Sequence, residues 1–429
     1  MSHEPISFLR DLLQAMIDRA DPRSFDDLPM PQSGDGRTVV VGAGKASAAL
    51  AQAFEAAAIQ KGLAIDDSLI LCPTGSTLPT NTLTLREAAH PIPDTTSLEG
   101  ASQILKLAQG LGAGDNLIVL LSGGGSALMA APRPGLGLSE KQDIIDALLK
   151  SGAPIDAINC VRKHISQIKG GGLAKAAYPA QVTTLAISDV VGDDPAVIAS
   201  GPTVGDPSTL SEAGDILAKF AIPITDAVAS ILKDENNETP LPSDPVFKSS
   251  SYHMLCTPKA ALAAAEKKAQ GLMPGLTIHT LGAEVEGLAA DVAASHVKLV
   301  EKLRALGGSH LILSGGELTV SLQNIDTANA PRGGPNHEYV LAFLAHINDT
   351  RGLYVLAADT DGKDGSSDAA GAFADPETLE KVSSRGLDLE AALEGHSSAA
   401  FFEDLGQNIV TGPTHTNVND FRAILILND

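Results

Sequence analysis

Thr38-Val39-Val40-Val41-Gly42-Ala43-Gly44-Lys45-Ala46-Ser47 decides the fold. The three valines after Thr38 read as a short strand buried on both faces. Gly42-Ala43-Gly44 turns the chain, and residues 45–61 continue as an Ala-rich helix. Strand, glycine turn and helix form the opening unit of a parallel α/β sheet. The order then repeats: a strand at 68–71, a helix near 96–110, a strand at 117–121 and a second glycine turn into a helix. This alternation predicts a parallel sheet covered by helices on both faces.

Upstream, Ile6, Leu9, Leu12, Leu13, Met16 and Ile17 recur at helical spacing. They predict an amphipathic helix over 5–20, closed near Asp21-Pro22. Downstream, a strand at 182–187 precedes an acidic loop. The polar, Pro-rich stretch NNETPLPSDP, 236–245, is the expected linker. The β/α rhythm then resumes: helix 259–270, strand 276–281, helix 284–306, and strands 311–313 and 318–322. A loop at 324–334 opens a helix at 336–347, and strands at 353–357 and 423–427 follow an equal alternation. The expected architecture is two α/β domains, 1–240 and 246–429, with a cleft between them. The first helix is open to packing on either one.

A length of 429 residues suits two or three domains. Thirty Lys and Arg against 52 Asp and Glu give a formal charge of −22. That balance argues against nucleic acid and against anionic membrane surfaces as partners. An anionic substrate would need the sign reversed locally by placed cations, helix N-termini or a metal. Aromatic residues are 3% and Trp is absent, so stacking platforms for bases are scarce. Cys72, Cys160 and Cys256 stand far apart without a CxxC, which suits a reducing cytoplasm. The N-terminus lacks a secretory pattern, and no run of about 18 apolar residues occurs. A cytoplasmic location is expected.

The loops carry the chemistry. Lys45 follows Gly44 at a helix start, where a cation is disfavoured unless it reaches a bound anion or is solvated at the surface. A P-loop would need Gly where Val39 stands, and a dinucleotide fingerprint would need Gly where Ser47 stands. The second strand ends Leu71-Cys72-Pro73-Thr74, without the acid that binds a ribose. Ser122-Gly123-Gly124-Gly125-Ser126 is a nest suited to carboxylate or phosphate. It is not a nucleophile elbow, because Ala127-Leu128 follow.

Arg162, Lys163, His164 and Lys169 precede Gly170-Gly171-Gly172. On a helix, Arg162, Ser166 and Lys169 would share a face, either as a basic patch or as a solvated one. Ser188-Asp189-Val190-Val191-Gly192-Asp193-Asp194-Pro195 leaves a strand end, with Asp189 and Asp193 suited to Mg²⁺ on phosphates. A second acidic loop, Asp359 to Asp368, contains Asp361. It is not an EF-hand, because Ala370 stands where Glu is required. Ser314-Gly315-Gly316-Glu317, the helix-opening Gly333-Gly334-Pro335-Asn336-His337-Glu338, and the donor-rich run Thr411 to Asp420 complete the set.

On these motifs the chain resembles the class II glycerate kinases, the glycerate 2-kinases of the MOFRL-domain family. The matching stretches are GAGKAS at 42–47, SGGGSAL at 122–128, VRKHISQIKGGGLA at 161–174 and SDVVGDDPAVIASGPTVGDPST at 188–209. In the second half they are SGGELTV at 314–320, GGPNHE at 333–338, DTDGKDGSSDAAGA at 359–372 and GPTHTNVNDF at 412–421. The resemblance implies a Rossmann-like N-terminal domain with a mainly parallel sheet and a smaller α/β C-terminal domain. It implies ATP- and Mg²⁺-dependent phosphorylation of D-glycerate at its 2-hydroxyl, and it puts the catalytic lysine at Lys45.

With that activity in view, Gly44, Ser122, Gly123, Gly124, Gly125, Ser126, Arg162, Lys169, Glu317, Asn336, Thr416 and Asn417 are the expected substrate and phosphate residues. Asp189 is the expected base or metal ligand, with Asp193 and Asp361 as further metal ligands. The chain departs from the family pattern at Pro335, where Arg is expected, and at His337, where Gln or Thr is expected; Arg332 is the candidate replacement. The rivals are an NAD(P)H-dependent hydroxypyruvate reductase, a label relatives have carried, and a non-catalytic anion sensor. The partners expected are glycerate and nucleotide, with a homodimer left open.

Overall fold

A computed structural model describes residues 4–31, 36–321 and 332–427. The chain forms two compact units: Asp21–Leu255 is one, and Met1–Ala20 with Cys256–Asp429 is the other.

The first unit is built on β1 (Thr38–Ala43), β2 (Asp67–Pro73), β3 (Leu85–Ala88), β4 (Asn116–Leu121), β5 (Gln181–Ile187) and β6 (Ser250–Cys256). Their order across the sheet is β3-β2-β1-β4-β5-β6. The ladders β2–β3, β1–β2, β1–β4 and β4–β5 are all parallel. This is the Rossmann order, and the chain reverses direction across the sheet between β1 and β4. Loops leaving such a switch point diverge and open a crevice at the strand C-termini. Ala43 is in register with Leu121, and Leu121 with Ala186. The loops after β1, β4 and β5 therefore leave the sheet side by side.

The all-apolar strands follow from burial of both faces. Val39, Val41, Leu69, Leu71, Leu117 and Val119 pack in one cluster with residues of the helices Thr95–Gln109 and Gly172–Ala177. The alternate residues Val40, Ile70, Ile118 and Leu120 pack with those of the helix Ser47–Lys61. A separate helical layer, Leu138–Lys150, Ile155–His164, Leu210–Lys219 and Asp226–Lys233, buries its own core of Leu148, Ile158, Val161, Leu217 and Val228.

Two expectations need correction here. The stretch 236–245 is not a free linker but part of this unit. Asp206 N donates to Pro240 O at 3.0 Å, and Thr239 Oγ1 donates to Asp206 at 3.2 Å. The chain then adds β6 to the same sheet, so the units divide at Leu255 rather than before 246. The helix expected to carry Arg162, Ser166 and Lys169 on one face ends at His164. Ser166 instead pairs with Pro132, and its hydroxyl donates to Ala131 O.

The second unit contains β7 (Thr277–Thr280), β8 (Gly287–Leu288), β9 (His310–Gly316), β10 (Leu318–Thr319), β11 (Leu353–Asp359), β12 (Gly371–Ala374), β13 (Asn408–Ile409) and β14 (Asp420–Ile426). Its sheet runs β13-β12-β11-β14-β9-β7; the β7–β9 ladder is parallel and the other four are antiparallel. β8 and β10 pair as a small ribbon. That ribbon delays the following helix to Ala289–Leu306, later than the expected start at 284. The expected loop 324–334 and the end of strand 318–322 lie largely outside the described residues.

Helices Ala289–Leu306, Pro335–His346 and Ser398–Leu405 share a core with Ile312, Val355 and Ile424 of the sheet. Helices Pro5–Ala20 and Pro258–Leu272 pack together, touching β11, β14 and β9. Phe8, Leu9, Leu12 and Met16 of the first helix are fully buried there. Each such side chain contributes about 1.5–3 kcal/mol relative to exposure. The first helix thus joins the second half of the chain. No helix among the described residues is long and apolar enough to cross a membrane.

Candidate active site

The two glycine turns at the switch point are tied to each other. Lys45 N donates to Gly123 O at 2.8 Å, and Ala46 N donates to Ser122 Oγ at 2.9 Å. Gly44 has φ 147°, and a Cβ on it would stand 2.1 Å from Ser122 Oγ. No other residue fits that contact. Ser122 is fully buried. Its oxygen accepts from the start of the helix Ser47–Lys61, so Ser122 joins the two turns. Gly124 has φ 79°, and a Cβ there would meet His90 Nε2 at 2.8 Å and Lys45 Cγ at 3.5 Å. The Lys45 stem and the His90 ring therefore flank Gly124.

A cavity of about 610 Å³ is lined by Gly124, Ser126, His90, Lys141, Arg162 and Lys169, among others. Lys169 is 2% exposed, and its ammonium donates to Ser126 O and Ser126 Oγ, each at 2.7 Å. Ser126 Oγ also lies 3.0 Å from Ser200 Oγ. Lys141 is 6% exposed, and its ammonium makes no hydrogen bond or ion pair with any described residue. Arg162 donates to Asn159 Oδ1 at 2.8 Å.

Burial pushes the Lys141 ammonium down to about 8, and the Arg162 charge adds to the shift. Burial, then the Lys141 and Arg162 charges, hold Lys169 well below the usual lysine range. Three mutually repelling cations in an acidic protein make a site for an anion.

Lys163 and His164, adjacent in sequence, serve otherwise: Lys163 pairs with Asp206 at 3.3 Å and His164 with Glu238 at 3.0 Å. Lys141 escaped the sequence analysis, although a signal exists. It stands in the apolar stripe of its helix with Ile144 and Leu148, where a lysine is out of place.

Asp189 is half-buried in the loop that follows β5. Asp193 adopts φ 54°, and its Oδ1 is buried without a hydrogen-bond partner. Ala199 and Ser200 also adopt positive φ, of 50° and 61°. Such conformations cost about 1–3 kcal/mol each in non-glycine residues and gather at functional sites. No group of three or more His, Cys, Asp or Glu side chains placed to hold a metal occurs among the described residues. A single orphaned carboxylate oxygen fits Mg²⁺ held chiefly by nucleotide phosphates, which needs only one or two protein carboxylates.

The motifs of the second half meet at one end of its sheet. Asp359 pairs with Asp420, and Asp420 with Gly316. Asp364, not Asp361, is the buried carboxylate of the acidic loop. It accepts from Asn336 N at 3.1 Å, His337 N at 2.9 Å and His337 Nδ1 at 2.5 Å, and so caps the helix Pro335–His346. Pro335 stands at the first helical position, where no N–H is needed. Asn336 Nδ2 is shared between Asp364 and Asp420, at 3.2 and 2.6 Å, so that donor is already committed; its Oδ1 is buried without a partner.

Thr416 Oγ1 donates to Ala20 O at 2.9 Å, so it closes the first helix rather than facing a substrate. Asn417 Oδ1 accepts from Asn419 N, and Asp361 Oδ1 from Lys363 N. Glu317 is exposed. Arg332 is also exposed, pairing with Asp368 at 3.4 Å and Glu403 at 3.8 Å.

Residues 8–233 match a domain of unknown function, DUF4147, and residues 310–420 match the MOFRL family. The glycerate 2-kinase of Pyrococcus horikoshii is 36% identical, over 91% of this chain and 88% of that one. The D-glycerate 2-kinase of Thermotoga maritima is 33% identical over 97% of each. This chain belongs to the class II glycerate kinase (MOFRL) family. The crystal structure of the Thermotoga maritima glycerate kinase superposes with a TM-score of 0.85, at 31% identity over 98% of this chain and 99% of that one. Family names are mixed: an Agrobacterium vitis relative, 41% identical over 97% of this chain and 94% of its own, carries the name hydroxypyruvate reductase.

Proposed function

We propose that the chain transfers the γ-phosphoryl group of ATP to the 2-hydroxyl of D-glycerate, giving 2-phosphoglycerate and ADP. The observation that carries this is the cluster of Lys141, Arg162 and Lys169, none of them ion-paired with a described carboxylate, beside the Lys45 turn. Both substrates are anions, and phosphoryl transfer is chiefly positioning plus charge neutralisation.

In the reaction a bond forms between glycerate O2 and Pγ, and the bond from Pγ to the bridging oxygen breaks. The hydroxyl proton passes to a carboxylate, for which Asp189 is the candidate. Lys45 carries positive charge to the transferring group or to the glycerate carboxylate. Gly123, Gly124, Gly125 and Ser126 supply backbone approach and a hydroxyl. Mg²⁺, when bound, would offset charge on the phosphates; Asp193 would hold it, with Asp189 and Asp361 as alternatives. Glu317, Asn417 and Arg332 keep the substrate roles that the family resemblance suggests, Arg332 standing in for the arginine absent at Pro335.

The second reading is reduction of hydroxypyruvate, favoured by the Agrobacterium vitis name. Against it, β2 ends Leu71-Cys72-Pro73 without a ribose-binding acid, and Ser47 replaces the third fingerprint glycine. Phosphorus NMR of the product from D-glycerate and ATP tests the kinase reaction. A 2-phosphoglycerate signal is expected. Its absence, with NADH oxidised on addition of hydroxypyruvate, would establish the reductase instead.

A further inference from the structure

The cavity is larger than the small substrate requires. Glycerate is a three-carbon acid and fills only a fraction of about 610 Å³. That volume falls in the range that encloses ligands several times larger. The cavity is also graded in polarity. Lys141 and Lys169 are buried, with Arg162 half-buried beside them. The Lys141 ammonium has no partner among the described residues, Lys169 keeps an ammonium proton beyond its two bonds to Ser126, and Arg162 keeps most of its N–H donors. Ile92 and Leu149, which also line the cavity, are 71% and 54% exposed, and Ile145 lies with them. Large apolar side chains left in solvent at the mouth of a cation-lined cavity suit a ligand with a polyanionic end and a flat apolar end. Asp143 and Asp146, exposed and also lining the cavity, disfavour anionic groups at the mouth and offer acceptors to sugar hydroxyls.

Resting on the kinase reading above, we infer that this cavity is the nucleotide subsite: Lys141, Arg162 and Lys169 hold the polyphosphate, and Ile92, Ile145 and Leu149 cover the base. Lys141 is then a phosphate-binding residue. Glycerate lies outside the cavity, past Gly124 on the Lys45 side, because the phosphoryl group must reach it from the phosphate end. A largely buried ammonium without a counter-ion, such as that of Lys141, is at a disadvantage in the free protein. A polyphosphate removes that disadvantage, while a single carboxylate would leave two of the three cations unmatched.

The test is calorimetry with ADP and with inorganic tripolyphosphate, alongside steady-state kinetics, on the full chain and on Lys141→Met. Methionine keeps the length of the side chain and removes its charge, so the variant is expected to fold. The expected result is a loss of ADP and tripolyphosphate affinity of at least about tenfold, as for a charged hydrogen bond. KM for ATP rises in parallel and KM for glycerate stays within about twofold. Ile92→Ser with Leu149→Ser weakens ADP and leaves tripolyphosphate unchanged. A rise in the glycerate KM alone, or unchanged ADP affinity in Lys141→Met, overturns the assignment. If the wild-type protein binds ADP at this cavity but yields no phosphorylated glycerate, the kinase reading fails and the subsite stands. If it binds neither ADP nor tripolyphosphate, the subsite fails.

Discussion

Lys169 donates to both the carbonyl oxygen and the hydroxyl oxygen of Ser126, 43 positions earlier in the chain. The ammonium thus holds the first turn of the helix Gly125–Leu128 and faces the cavity lined by Lys141 and Arg162. The glycine turn and the cationic floor are one construction.

Replacing Lys45 by Ala is expected to act on the rate. A cation aimed at the transferring group binds the transition state better than the ground state. Lys45→Ala should lower kcat by about 10²–10³-fold, or about 2.7–4 kcal/mol, with a modest change in KM. Steady-state kinetics checks this. A rise in glycerate KM with kcat unchanged would make Lys45 a carboxylate anchor.

Lys141→Met is expected to stabilise the fold. The ammonium moves from an ordinary 10.5 to about 8 on folding. Below pH 8 that charge costs on the order of 3 kcal/mol, and the cost fades as pH rises from 8 toward 10.5. The variant should therefore melt higher than wild type at pH 7, and the gap should close through pH 9 and 10. Scanning calorimetry without ligand measures it. A gap independent of pH would show that packing, not charge, sets the difference.

Anion affinity should carry the same titration with the opposite sign. A bound polyphosphate favours the charged ammonium and raises its pKa. The part of the affinity that rests on Lys141 should fall above pH 8, by up to about tenfold per unit, with protons taken up from the buffer. Calorimetry in two buffers of different ionisation enthalpy reads the uptake. Binding without proton exchange at pH 9 would remove Lys141 from the site.

Chelation should abolish turnover and Mg²⁺ should restore it. Asp189→Asn or Asp193→Asn should lower kcat by about 10²-fold or more. Full activity in EDTA would refute the metal role. Wild-type rates in both variants would make the loop structural.

Asp364→Asn should damage the fold rather than the chemistry alone. The carboxylate accepts from two backbone N–H groups and from His337 in a buried position. An amide turns one accepting edge into a donor, at a cost of about 1–3 kcal/mol. A melting temperature equal to wild type would contradict the capping role.

The strands of the first unit and the glycine turns between them were legible because burial on both faces leaves continuous apolar runs, as in Val39 to Val41 and Leu117 to Leu121. β3 and β6 were not: Leu85–Ala88 is four residues long with Arg86 and Glu87 in it, and Ser250 to Cys256 mixes Ser, His and Tyr and is mostly half-buried. The site was legible where glycine and charge stand together in sequence. It was illegible where tertiary structure assigns the partner. Thr416 carries a suitable hydroxyl, yet it donates to the Ala20 carbonyl, a partner 396 positions away in sequence. Lys141 was passed over because it stands apart from any glycine motif, although its place in the stripe with Ile144 and Leu148 marks it.

The docking of helix Pro5–Ala20 has a consequence for biosynthesis. This helix emerges from the ribosome well ahead of its packing partners, the helix Pro258–Leu272 and the strands β9, β11 and β14, which are translated hundreds of residues later. At about 5–20 residues per second, that leaves its apolar stripe uncovered for tens of seconds. During that interval Phe8, Leu9, Leu12 and Met16, buried in the folded chain, stay in water. A ribosome stalled before Pro258 would therefore display the first unit with the apolar stripe of Pro5–Ala20 still uncovered.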